Sequence, residues 1–289
     1  MSCNMIDPRD FHACVSPMRK FFESRGFIEV HTQSRLSILA ACEDPKTIAS
    51  FDYAGKRWPL PQTGQMWLEY ELLTKPELPG VFCLSTSYRQ EPKPVPGRHE
   101  LVFPMFEFES HGTLEDLQAL EEDLLEHLGF GARRGYAQMD YLDACRHYQT
   151  DEISGEVESQ MAKDFGPVFF LKNFPQYTSP FWNMRKNGET ARKIDVILHG
   201  METIGSAERS TNKDEMRYLF QTISDGMYAG ILYDKFGKER VEQEMQEFLA
   251  HDFFPRYGAG IGVTRMIRAM KLSGLIEDRT YPAQQRLAA

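Results

Sequence analysis

Several features that mark whole classes of protein are missing from this 289-residue sequence. Its five cysteines, Cys3, Cys14, Cys42, Cys83 and Cys145, are odd in number, widely spaced and form no C-x-x-C pair. That fits reduced, mostly packed thiols better than a disulfide framework or a zinc site. No apolar run approaches the roughly 20 residues of a bilayer span, and Met1 to Pro8 has no charged-then-apolar leader pattern. Basic residues are in deficit: 33 Lys and Arg against 42 Asp and Glu give a formal net charge of −9. This argues against a broad basic surface for nucleic acid. There is no internal repeat and no low-complexity linker. With 42% hydrophobic and 26% charged residues, the composition is that of an ordinary soluble globular chain. A soluble, cytoplasmic protein of one domain, residues 1–289, with a sizeable core is expected.

What is present is organised around residues 88–109. Tyr88-Arg89-Gln90-Glu91 and Phe103-Pro104-Met105-Phe106-Glu107-Phe108-Glu109 read as two strands joined by a loop broken by Pro92, Pro94, Pro96 and Gly97. The second strand alternates Phe106 and Phe108 with Glu107 and Glu109, the period-two signature of two different faces. The prolines cannot donate ladder hydrogen bonds, and Gly97 permits the return turn. Arg89 and Arg98 bracket the loop, and guanidinium forks suit phosphate oxygens; Phe103 offers a platform for a base.

Elsewhere, Phe11, Val15, Met18 and Phe22 predict an amphipathic helix from Pro8 to Gly26, followed by a strand over Phe27–Thr32. A strand pair is expected around Thr47–Tyr53 and Lys56–Leu60, then a helix from Met66 to about Thr74. Leu114, Leu117, Leu120, Leu124 and Leu128 form a helical stripe with acidic residues opposite and Thr113 as its N-cap. Residues 136–165 read as polar helix. Val168–Leu171 and Ile194–Leu198 are buried strands, and Asp195 is set into the second. One helix is expected from about Asn212 to Phe236, and a short one carries Val241, Met245 and Phe248. Gly258-Ala259-Gly260-Ile261-Gly262-Val263-Thr264-Arg265 reads as a glycine-rich strand entering a helix, a phosphate-site pattern that is weak alone. Asp195 and Glu202, seven residues apart across a hairpin turn, suit a divalent ion carried by a nucleotide. Arg209 follows Glu202 by seven residues, and an ordinary surface ion pair with Glu208 is the alternative for it.

Three ordered segments together resemble the catalytic core of class II aminoacyl-tRNA synthetases, in the subclass of the aspartyl, asparaginyl and lysyl enzymes. Within that subclass the chain is most similar to short archaeal asparaginyl-type paralogues that act as asparagine synthetases. The segments are Arg19–Thr32, then Tyr88–Glu91 through Gly97-Arg98-His99 to Phe103–Glu109, and Gly258–Arg265. The resemblance implies an α+β fold, an antiparallel sheet flanked by helices, and ATP with Mg²⁺ as cofactors. It implies that Arg89 contacts the α-phosphate and the carboxylate being activated, and that Phe103 and Arg265 sandwich adenine, with Arg265 also reaching the γ-phosphate. Glu91 would lie near the adenine edge, Arg98 and His99 near the outer phosphates, and Gly262 in the ATP site. Asp195 and Glu202 would be the metal acids. Around the amino acid it places Gln65, Gly205, Ser206 and Arg209, with Glu107 meeting the α-ammonium and Arg209 the side-chain carboxylate.

Three departures stand out. Leu68 replaces a lysine of the aspartate-specific members, Met105 replaces a pocket glutamine, and Gln33 replaces the proline of the first motif, where the family's homodimer forms. The first two imply aspartate in another orientation or a different acidic amino acid. No anticodon-binding barrel precedes Arg19, so a small-molecule acceptor such as ammonia is expected rather than tRNA. Transfer to a protein or carrier, and a non-catalytic sensor of ATP or amino acid, are the rival expectations.

Overall fold

The computed structural model describes residues 5–33, 35–38, 44–178 and 182–278. Helix α1 (Pro8–Ser24) starts where the Asp7 side chain accepts the Arg9 amide and Pro8 takes the first turn; it buries Cys14, Val15, Met18, Phe21 and Phe22. Gly26, at φ +79°, turns the chain into β1 (Ile28–Glu29), shorter than the strand predicted over Phe27–Thr32. Strands β2 (Ser50–Tyr53) and β3 (Lys56–Pro59) form a separate hairpin. Helix α2 (Gln65–Thr74) leads to β4 (Gly80–Tyr88) and β5 (Val102–His111). The predicted leucine stripe is α3 (Leu114–Leu128), whose Thr113 and Asp116 form the capping box.

Residues 136–165 are not helical throughout. They open with β6 (Ala137–Asp140), then form α4 (Tyr141–Tyr148) and α5 (Gly155–Phe165). Four residues of half-buried alternation are too short to outweigh the polar helical composition around them. Strand β7 (Val168–Pro175) runs past Asn173 through an irregularity at that residue, which has φ +56°. After β8 (Lys186–Asn187) come β9 (Thr190–Leu198) and β10 (Met201–Glu208). The single helix expected over 212–236 is two, α6 (Lys213–Thr222) and α7 (Met227–Phe236). Ser224, Asp225 and Gly226 between them all have positive φ, a left-handed run that no continuous α-helix accommodates. Helix α8 (Lys238–Leu249), β11 (Arg256–Gly262) and α9 (Val263–Leu272) complete the order.

Among the described residues the main sheet runs β1-β4-β5-β11-β10-β9-β7-β6, with β8 on β9. The β1–β4 and β6–β7 pairs are parallel and the others antiparallel. One face is sealed by α1, α3 and α9 around Phe22, Phe82, Phe106, Phe108 and Ile261. The other face packs α2, α4 and α6–α8 on parts of β7, β9 and β10. Between those packed regions it leaves the centre of the sheet open as a cavity. The expected alternation of β5 is therefore real, but Glu107 and Glu109 are as fully buried as Phe106 and Phe108.

Acids also sit on the sealed face. Glu121 of α3, four residues after Leu117 and three before Leu124 and so on the leucine stripe itself, is fully buried, and burial pushes its carboxyl up to about 8. A carboxyl whose folded pKa is raised keeps its proton longer in the folded than in the unfolded chain. Stability therefore falls as pH rises from about 4.5 towards 8. Glu121→Gln is expected to flatten that fall and to stabilise the protein at pH 7 by about 2 kcal/mol, measured by urea unfolding across that range. Equal pH slopes in the two proteins would contradict it.

Candidate active site

The cavity floor is strand β11. In register, Gly260 lies opposite Glu107 and Gly205, and Gly258 opposite Glu109 and Ala207, so the alternate glycines share the open face of the sheet. A Cβ at Gly258 would lie 1.7 Å from Glu109 Oε2, and one at Gly260 would lie 2.7 Å from Met105 Cε. Glycine is required there because side chains from β5 lie across the strand. Above this floor is a space of about 380 Å³. Of the residues named from the sequence, Gln65, Arg89, Glu91, Arg98, His99, Phe103, Met105, Asp195, Glu202, Gly205, Ser206, Arg209, Gly262 and Arg265 line it.

At one end are three guanidinium groups. Arg89 follows β4 directly, and its Cζ lies 5.4 Å from the centroid of the Phe103 ring. Among the described residues Arg89 has no carboxylate partner, and its buried Nε lacks an acceptor. An enclosed donor without an acceptor is costly, and Glu107 and Glu202 meet the Arg89 charge only through space, so this end of the cavity can receive further negative charge. Arg265, in the first turn of α9, donates to the Glu202 carbonyl at 2.7 Å and to the Arg98 carbonyl at 3.2 Å. His99 Nδ1 lies 2.8 Å from a Glu91 oxygen.

Facing these cations are Asp195 and Glu202, which flank Gly205. Burial pushes Asp195 up to about 7; Lys193 opposes that shift and Glu202 adds to it. Enclosure also disfavours the charge on Glu202, but Lys193, Arg265, Arg89 and Arg98 outweigh it and hold the carboxyl below its usual range. Lys193 pairs directly with Asp195, and its Nζ sits 3.7 Å from the centroid of the Phe174 ring. Sequence reading missed this lysine. Its signal was available, because residues 193 and 195 of one strand share a face.

At the other end Arg209 is neither on the surface nor paired with Glu208. It is 1% exposed; its Nε and Nη2 each reach a Glu109 oxygen at 3.0 Å, and Nη2 also donates to Gln65 Oε1 at 3.0 Å. Behind it Glu69 accepts from Arg256 Nε at 3.1 Å and from Asn183 at 2.8 Å. Two buried carboxylates thus face two buried guanidinium groups, with burial raising the Glu109 carboxyl and Arg209 opposing it. Glu208 is held on the outer side by Arg185 and Arg192, at 2.5 and 2.6 Å.

The geometry sets three of the named residues off the cavity or leaves only their backbone on it. Leu68 does not reach the cavity; it is fully buried against Leu72, Val81 and Cys83. Ser206 contributes backbone alone. Its register partners Ile194 and Ala259 belong to the sealed face, and its hydroxyl donates to the Ile194 carbonyl at 3.1 Å. Glu107 lies beneath the lining, where it accepts from the Thr63 hydroxyl, from Gly64 N–H at 2.8 Å and from Ser85 at 2.5 Å. It pins the turn before α2 and places Gln65.

The sequence profile described as tRNA synthetases class II (D, K and N) matches residues 9–284. The chain belongs to this family. The aspartate–tRNA(Asp/Asn) ligase of Methanopyrus kandleri is 24% identical over 228 residues, 69% of this chain and 52% of the relative. The asparagine–tRNA ligase of Pelotomaculum thermopropionicum is 25% identical over 288 residues, 86% and 62% respectively. The chain thus spans a little over half the length of these relatives. Asparaginyl-tRNA synthetase from Pyrococcus horikoshii, solved with asparaginyl-adenylate, superposes with a TM-score of 0.73 at 19% identity, covering 95% of this chain and 69% of that one. The class II fold is therefore present as expected, antiparallel at its centre and flanked by helices. The family relatives are tRNA ligases by name, which gives no support to the expectation that tRNA is not a partner.

Proposed function

We propose that the cavity catalyses AMP-forming activation of a carboxylate of an aspartate-type amino acid, followed by transfer to a small nucleophile such as ammonia. The observation that carries this reading is the half-buried Arg89 guanidinium beside Phe103, whose enclosed Nε has no acceptor and which makes no ion pair with a carboxylate among the described residues. In the first step a carboxylate oxygen bonds to the α-phosphorus of ATP and the bond to pyrophosphate breaks. Arg89 stabilises the charge that builds there, while Arg98 and Arg265 take the departing phosphates and Phe103 the adenine. In the second, ammonia nitrogen attacks the acyl carbon, AMP leaves and the nitrogen loses a proton. Positioning and electrostatics suffice, and no side chain forms a covalent bond.

Asp195 and Glu202 fit a Mg²⁺ ion that arrives with the nucleotide, since such ions take one or two carboxylates and complete their shell with phosphate and water. Among the described residues no cluster of three acidic, histidine or cysteine side chains forms a closed metal cage. When bound, the ion would supply charge neutralisation at the phosphates. The same proposal includes a homodimer through the sheet edge at β1, whose Ile28 is 48% exposed.

The charge balance around Arg209 favours a second reading of the substrate. Because Glu109 already holds that guanidinium at two points, a side-chain carboxylate would bring unmatched negative charge into a buried site, whereas a neutral carboxamide would not. Amino-acid-dependent ATP–pyrophosphate exchange decides between the two. Exchange at least about tenfold faster with aspartate supports the first reading, and the same margin for asparagine supports the second. No exchange with either would remove the proposed substrate class. AMP release driven by tRNA instead of ammonium would reassign the acceptor.

A further inference from the structure

We propose that Glu158 is a positioning residue that seats Arg98 and Arg265, the two cations at the outer end of the cavity, for the phosphates of the nucleotide. The proposal rests on the ATP reading above and adds to it a residue outside the three family segments. Glu158 lies one turn into α5, beyond the Ser154 N-cap. Its carboxylate binds Arg98 Nη2 and accepts the Glu202 amide at 3.2 Å. The Arg98 carbonyl accepts from Arg265 Nη2 at 3.2 Å, and Arg265 Nη1 donates to the Glu202 carbonyl at 2.7 Å. The four residues therefore form a closed ring, Glu158–Arg98–Arg265–Glu202, from four separate elements, and Glu158 makes two of its four links.

The seat is shaped for that guanidinium. Arg98 Nη1 also donates to the Gly155 and Gly200 carbonyls, at 3.4 and 3.3 Å. A Cβ at Gly155 would lie 2.6 Å from Arg98 Cζ, so the glycine that opens α5 leaves room for the arginine. A Cβ at Gly200 would lie 2.7 Å from Ser159 Cα, so α5 rests directly on the β9–β10 turn that leads into Glu202. Opening the ring removes the one carboxylate paired with the Arg98 guanidinium among the described residues and leaves that long side chain, on a loop that carries three prolines, with only the longer contacts to the Gly155 and Gly200 carbonyls. The cost falls on phosphate binding, because an arginine held in place loses less entropy on binding than a mobile one.

The test is calorimetric binding of Mg-ATP to the full chain, joined to exchange kinetics with ATP varied. Glu158→Ala is expected to raise Kd and KM for ATP about tenfold, the effect of one lost charge-assisted hydrogen bond, with kcat within about threefold. Glu158→Gln, which keeps an acceptor oxygen, is expected to shift them about threefold. Gly155→Ala reaches the same end with Glu158 intact, by crowding Arg98, and guards against misfolding of the first variant. In an Arg98→Ala background Glu158→Ala should add less than about twofold. Unchanged Kd in folded Glu158→Ala and Gly155→Ala proteins, or a loss confined to kcat, would overturn the assignment. A wild-type protein that binds ATP without any exchange would overturn the proposed reaction while leaving the binding comparison decisive. Absence of ATP binding would overturn both.

Discussion

Arg89→Ala is expected to lower amino-acid-dependent ATP–pyrophosphate exchange by about a hundred- to a thousandfold, the range for removing one preorganised donor from a charge that develops in a transition state. The size follows from what surrounds the residue. Among the described residues its guanidinium spends no hydrogen bond on a carboxylate, which leaves its donors for the phosphate and carboxylate of the proposed reaction. Arg89→Lys should recover little, because an ammonium cannot bridge two oxygen groups as a planar fork does. Folding stability should change by less than about 1 kcal/mol, since no ion pair is broken. An alanine variant with exchange within tenfold of wild type would show that the α-phosphate lies elsewhere.

The largest loss of stability is expected from Glu69→Ala. Glu69 and Arg256 are each fully buried, with Arg256 Nε 3.1 Å from Glu69, and Glu69 also takes the Asn183 amide at 2.8 Å. Removing the carboxylate leaves a guanidinium in the interior without its counter-charge, a change that costs about 3–5 kcal/mol. Arg209, whose Nε is 3.6 Å from Glu69, would lose a neighbouring charge as well, so amino acid binding should weaken together with stability. Urea unfolding measures the first effect. The double replacement Glu69→Leu with Arg256→Met should restore most of the loss, because the penalty belongs to the unpaired charge more than to the missing contact. A single variant that loses under about 1 kcal/mol would mean that water already reaches the pair.

Much of the lining of the candidate site was legible in the sequence because it lies on strands. The hairpin at residues 88–109 and the glycines of β11 were found by period and composition, and both lie where the phosphate reading needs them. Parity along a strand also assigns faces. Lys193 shares a face with Asp195, while Gly205 and Ser206 must point to opposite faces. What parity does not reveal is how deep a face is buried. Glu107 and Glu109 alternate with phenylalanines as an outward face would, yet α2 and the turn before it cover them. Glu158 had no signal of its own: it is one acid on a polar helix, and its role exists only because three distant elements converge on it. The break at Ser224–Gly226 was readable as a Ser-Asp-Gly turn signal, but the apolar spacing on either side favoured one continuous helix.

The central claim is that this cavity holds a nucleotide with its α-phosphate at Arg89. A crystal structure after soaking with Mg-ATP and aspartate or asparagine tests it most directly. The predicted result is an adenine ring against Phe103, an α-phosphate oxygen within hydrogen-bond distance of Arg89, and the amino acid between that phosphate and Arg209. A nucleotide bound outside the glycine-floored cavity, or an amino acid that leaves Arg209 untouched while a phosphate occupies that end, would contradict it.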